Sequence, residues 1–190
     1  MIDRRRFLAT SLATGAIGFN AHAAFAQAAM SKMTAYGFSF EGLNGDRIRL
    51  ADYAGKPVMI VNTASQCGYT PQYAGLQELW SQFRQRGFGI VAVPSNDFGG
   101  QEPGGATEIA KTAGDTYHVT FPITAKTIVK GPDAHPFYKW AAAERPAELP
   151  AWNFHKYLIG RDGYIAEVFP SKVEPTDTRV VAAIARNLTA

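Results

Sequence analysis

Cys67 is the single cysteine of the 190-residue chain, and it stands between an apolar run and a helical pattern in the stretch VMIVNTASQCGYTPQYAGLQELW, positions 58–80. A thiol just ahead of a helix lies near unpaired backbone N–H groups and the positive end of the dipole, which favour thiolate over thiol. Free cysteine is also among the most buried residue types. Ser65, Gln66, Gly68 and Tyr69, however, make a polar, glycine-containing junction of the kind where functional residues gather. Two further polar stretches carry donors: PSNDFGGQEPG at 94–104 offers the Gln101 amide, and Trp152-Asn153-Phe154 offers an indole N–H beside an amide. Each alone reads as a turn or core segment. Together they suit a thiolate attacking a peroxide O–O bond, which needs its own charge and that of the leaving oxygen stabilised. Neutral N–H donors at about 3 Å supply both. His118, His135 and His155 are scattered without ligand spacing and read as surface or core residues. Cys67-Gly68-Tyr69-Thr70 disfavours a C-x-x-C oxidoreductase.

These residues need elements to place them. Val58, Met59, Ile60 and Val61 form a continuous apolar run that suits a strand covered on both faces. Thr70 is placed to cap a following helix, with Pro71 at its first position, Leu76, Leu79, Trp80 and Phe83 on one face and Gly87 as the stop. Phe88 to Val93 is a second central strand, so the 94–104 loop leaves a strand end, where open α/β sheets present their ligand-facing loops. Tyr36 to Phe40 and Arg47 to Leu50 flank Asn44-Gly45, a hairpin signal because both residues tolerate positive φ. The pattern predicts helices over Ala106 to Tyr117, with Gly114 weakening the end, and over Pro136 to Ala143, with a short strand near Phe121 to Thr124. Lys156 to Ile159 and Ile165 to Phe169 read as an antiparallel hairpin across Gly160-Arg161-Asp162-Gly163. A closing helix spans about Pro175 to Leu188, striped by Val180, Val181, Ile184 and Leu188. The alternation predicts an α/β fold with a mixed sheet between helices.

Residues 1–26 read as a twin-arginine-type export signal. Arg4, Arg5 and Arg6 precede Phe7 and Leu8, a mildly apolar segment runs to Phe19, and Ala24-Phe25-Ala26 forms an A-x-A cleavage site. The expected destination is the periplasm. Without this segment Lys+Arg falls from 19 to 16 and Asp+Glu from 16 to 15, leaving a net charge of +1. The pI near 9.0 is therefore weak grounds for nucleic-acid or membrane-surface binding. Residues 27–190 have the length of one domain with a substantial core, and the single thiol is free or pairs with another molecule.

The three motifs VNTASQCGYTPQYAGLQELW at 61–80, PSNDFGGQEPG at 94–104 and WNFHKYLIGRDG at 152–163 resemble the glutathione peroxidase family in sequence and order, over nearly all of 33–188. The resemblance implies a thioredoxin-like fold and a cysteine that reduces hydroperoxides, with a catalytic tetrad falling on Cys67, Gln101, Trp152 and Asn153. It implies a sulfenic acid intermediate, an external thiol reductant (glutathione or a thioredoxin-like protein) and no haem, flavin or metal. Relatives often place a resolving cysteine on the helix matching Lys111 to Asp115; none stands here, and Ser95 and Asp97 also depart from common family residues. The segment from Phe121 to Trp152 is short beside that of tetrameric relatives, which implies a monomer with a site open to bulky lipid hydroperoxides. The competing reading is a thioredoxin-like thiol carrier or a peroxide-sensing relay, which would need Cys67 but not Gln101, Trp152 or Asn153.

Overall fold

The computed structural model describes residues 33–189. The export-signal reading of residues 1–26 lies outside them. Six strands form: β1 (Ser39–Glu41), β2 (Arg47–Arg49), β3 (Val58–Thr63), β4 (Gly89–Pro94), β5 (Lys156–Ile159) and β6 (Ile165–Phe169). Strands β1 and β2 make the N-terminal antiparallel hairpin. The other four make one mixed sheet in the order β4-β3-β5-β6, with β3 parallel to β4 and antiparallel to β5.

Strand β3 is buried along its whole length, as a continuous apolar run in a sheet covered on both sides must be. Met59 and Val61 point to one face, where α1 (Gln72–Phe83) supplies Leu76 and Leu79 and the C-terminal helix supplies Val180 and Ile184. Val58 and Ile60 point to the other, against Phe137 and Trp140 of a helix over Pro136–Glu144 and Phe40 of the hairpin. We number the helices after α1 as α2 (Ala106–Ala110), α3 (Pro136–Glu144) and α4 (Thr178–Thr189). Pro136 opens α3, and His135 caps it by accepting the Phe137 N–H on Nδ1 at 3.2 Å. Among the described residues no helix is long and apolar enough to cross a membrane.

Several local expectations need correction. Helix α1 starts at Gln72, with Pro71 as its N-cap, and the Thr70 hydroxyl caps nothing in the helix. In the hairpin turn Gly45 takes positive φ but Asn44 does not. The Ala106 to Tyr117 helix is α-helical only to Ala110, then widens into a π-turn over Lys111–Thr116, the stretch that carries Gly114. Phe121 to Thr124 gives only isolated bridges, Ile123 to Ala92 and Thr124 to Gly42. The closing helix begins at Thr178, and its stripe is carried by Val180, Ala183 and Ile184, with Val181 and Leu188 only partly buried.

Candidate active site

Cys67 lies in the connection from β3 to α1. Its N–H donates to Thr70 Oγ1 at 3.0 Å, and that hydroxyl sits 2.7 Å from Cys67 O and 2.9 Å from Ala64 O. Thr70 thus folds the junction onto itself. The Tyr69 N–H donates to Cys67 Sγ at 3.4 Å, so one backbone donor already faces the sulfur. Cys67 is 7% exposed and belongs to the core cluster on the α1 side of the sheet.

The loop after β4 is anchored at both ends. The Ser95 N–H donates to Thr63 O at 2.9 Å, and Asp97 Oδ2 accepts the Val129 and Lys130 N–H groups at 2.6 and 3.2 Å. Further on, the Gln66 N–H donates to Gln101 O at 2.9 Å, which ties the residue before Cys67 to the Gln101 backbone. Glu102 follows with a fully buried side chain that accepts the Ser65 hydroxyl at 3.1 Å. Burial pushes the Glu102 carboxyl up, against the downward pull of Ser65.

Trp152 and Asn153 come from the turn ahead of β5. The Asn153 amide donates to Gln101 Oε1 at 3.0 Å, and Asn153 is fully buried. Accepting at Oε1 turns the two donors on the other side of the Gln101 amide away from Asn153. Trp152 is 38% exposed and packs its ring against Phe98 at 6.2 Å between centroids. Gly99, at φ 68, lies under the Trp152 ring so closely that a Cβ there would stand 3.1 Å from Cη2.

Asn62 holds this turn on the sheet. Its amide donates to Trp152 O at 3.0 Å, its Oδ1 accepts the His155 N–H at 3.1 Å, and its carbonyl accepts the Phe154 N–H at 2.6 Å. Phe154 adopts φ 63, a strained conformation for a bulky residue, while its ring meets Tyr73 of α1 edge-on at 5.3 Å. The chain therefore reverses sharply between the exposed Trp152 and the buried β5.

Of the four residues singled out from sequence, the structure bonds Gln101 to Asn153 directly, brings Trp152 to the Gln101 loop through Phe98 and Gly99, and ties Cys67 in through Gln66. Three supporting residues do not stand out in the sequence: Asn62, Thr70 in its actual role and Glu102. An asparagine inside the otherwise apolar run VMIVNT was the available signal for Asn62.

Fold and site define a thioredoxin-like protein with one thiol at a strand-to-helix junction, tied through Gln66 to the loop that carries Gln101. A thioredoxin-family thiol:disulfide interchange protein from Chlorobium tepidum shares the fold, with a TM-score of 0.59 at 16% identity, over 80% of this chain and 92% of that one. The crystal structure of Trgpx in its apo form matches with a TM-score of 0.65 at 34% identity, over 81% of this chain and 97% of that one. The hydroperoxy fatty acid reductase gpx1 of Synechocystis sp. is 44% identical over 158 residues, 78% of this chain and 94% of that protein. The glutathione peroxidase family profile matches residues 35–142, and the chain belongs to that family. It is a glutathione peroxidase-like thiol peroxidase that reduces hydroperoxides, and its catalytic residue is a cysteine.

Proposed function

We propose that the Cys67 thiolate attacks the terminal oxygen of a hydroperoxide, forming an S–O bond as the O–O bond breaks. The leaving oxygen takes a proton and departs as water or an alcohol, and Cys67 is left as a sulfenic acid. One external thiol displaces water from that sulfur to form a mixed disulfide. A second thiol attacks the mixed disulfide, releasing Cys67 and a disulfide product, so two electrons pass from the thiols to the peroxide. Gln101, Asn153 and Trp152 serve the charged sulfur and the developing oxyanion as neutral donors. The observation that carries this reading is the hydrogen bond from the Asn153 amide to Gln101 Oε1 at 3.0 Å, which fixes the direction of the Gln101 donors.

The single thiol supports an external reductant, glutathione or a thioredoxin-like protein. The relative named for hydroperoxy fatty acids, together with the exposed Trp152 rim, supports lipid hydroperoxides as substrates beside hydrogen peroxide. We further propose a monomer, a reading that rests on the short segment from Phe121 to Trp152, exported to the periplasm by the twin-arginine machinery, a reading that rests on Arg4, Arg5, Phe7 and Leu8. Replacing Arg4, Arg5 and Arg6 by lysine should leave the protein in the cytoplasmic fraction; unchanged partition would overturn the export reading.

Rapid mixing of the protein with hydrogen peroxide and with a fatty acid hydroperoxide, following one-turnover loss of the thiolate, tests the chemistry. Oxidation orders of magnitude faster than that of a free thiol is expected. A free-thiol rate would overturn it in favour of a thiol carrier.

A further inference from the structure

The mechanism leaves one buried cation without a task. Lys156 opens β5 with its side chain fully buried on the α1 and α4 side of the sheet. Its Nζ donates to Gln72 Oε1 at 2.7 Å, to Phe154 O at 2.7 Å and to Val173 O at 2.8 Å. Three acceptors match the three N–H donors of an ammonium group. None of them is a carboxylate. Glu174 is the acid whose charge favours the cation, and it joins the network through the Gln72 amide, which donates to Glu174 Oε1 at 3.3 Å and to Ser171 O at 2.8 Å. Burial pulls the Lys156 amine down to about 7 even so, and the same charge helps hold the neighbouring His155 imidazole neutral.

Burying a lysine among neutral acceptors is costly, and an apolar side chain of similar volume would fill the space at lower cost. What the amine adds is connection. It ties together the first residue of α1, the turn that carries Trp152 and Asn153, and the loop ahead of α4. The tie to Phe154 falls on the residue after Asn153, at the strained φ of 63. From the opposite side Asn62 holds the Phe154 and His155 N–H groups. The peptide joining Phe154 to His155 is thus clamped between Asn62 of β3, on its N–H, and a buried ammonium, on its carbonyl.

We propose that Lys156 is a positioning residue of the peroxidase site, locking the Phe154 carbonyl to the start of α1 and so holding the left-handed turn that delivers the Asn153 amide to Gln101. This rests on the peroxidase chemistry proposed above. It is tested in the full-length protein with Lys156→Met, Asn153→Ala and the double variant, each oxidised by hydrogen peroxide in a single turnover at or just below neutral pH. Rates are divided by the thiolate fraction read from ultraviolet absorbance.

Lys156→Met should stay folded at the assay temperature and lose about 10- to 100-fold in thiolate-normalised rate, the range expected for a misplacement near 1 Å. The double variant should be no slower than Asn153→Ala alone, because both changes remove one function. A merely structural lysine would slow both backgrounds by the same factor, and multiplicative losses overturn the proposal. Should Lys156→Met not fold, Lys156→Gln, which retains a donor, is read in the same two backgrounds against the same expectation. Fast wild-type oxidation with an unaltered Lys156→Met rate overturns this inference alone. Wild-type oxidation at a free-thiol rate overturns the peroxidase reading and this inference with it.

Discussion

Asn153 has a single donor atom, the Nδ2 of its amide, and directs one of that atom's two N–H groups at Gln101. By donating to Gln101 Oε1 from a fully buried position, it decides which end of the Gln101 amide is free to meet a charge. Asn153→Ala should lower the thiolate oxidation rate by about 10²-fold, the size seen when one preorganised donor is lost, and stopped-flow single-turnover kinetics reads it. Stability should fall by only about 1 kcal/mol, the cost of leaving the half-buried Gln101 amide oxygen unpaired, as measured by urea unfolding. Taken singly in sequence, Gln101, Trp152 and Asn153 read as turn or core residues, and it is the family resemblance that singles them out with Cys67; the structure joins Gln101 to Asn153. Asn62, Glu102 and Lys156 do not stand out in the sequence, because a lone polar residue in a strand or loop reads as solvated unless its burial is known. In sequence Thr70 reads as a helix cap, since a threonine before a proline suits that role. Its hydroxyl instead takes the Cys67 N–H, a contact that no spacing rule predicts.

The elements were more legible than their ends. The strands β3 to β6 follow from apolar runs and turn residues, and their sheet places every donor loop at one strand end or the next. The start of α1 slipped because residues 69–72 form tight turns, with Gln72 N–H bonded to Tyr69 O and Tyr73 N–H to Thr70 O, before the helix proper. The Phe121 to Thr124 strand failed for a different reason: bridging a single residue on each side satisfies the backbone without building a ladder. Gly99 offers a test of how tightly the loop after β4 meets the turn before β5. Gly99→Ala must hold an alanine at φ 68 and push its Cβ against the Trp152 ring. A loss of about 1–3 kcal/mol is expected, with an altered tryptophan emission spectrum as the ring is displaced. Unchanged emission and stability would show that the loop yields freely.

Across the whole molecule, burial of ionisable groups sets the response to pH. His155 is held down to about 4, first by desolvation and then by the Lys156 charge. Between its ordinary 6.5 and that value the unfolded chain binds a proton that the native state refuses, so stability falls as pH drops through this window. The loss is roughly 3 kcal/mol at full extent, and His155→Gln should flatten it in denaturant titrations at pH values inside and above the window. Lys156 acts in the same direction at higher pH: from about 7 to its ordinary 10.5, stability gains as pH rises. Glu102, with its carboxyl pushed up, opposes them and destabilises as pH rises above the ordinary carboxylate range. The strand order carries a consequence for biosynthesis. Central strand β3 pairs with β4 soon after both are made, but its other flank waits for β5, from the last quarter of the chain. A ribosome therefore exposes the thiol and Gln101 long before Trp152, Asn153, Lys156 and half the sheet exist. Until β5 and β6 emerge, the nascent chain carries an open strand edge beside an unguarded sulfur, and the assembled site appears only as the β5–β6 hairpin docks.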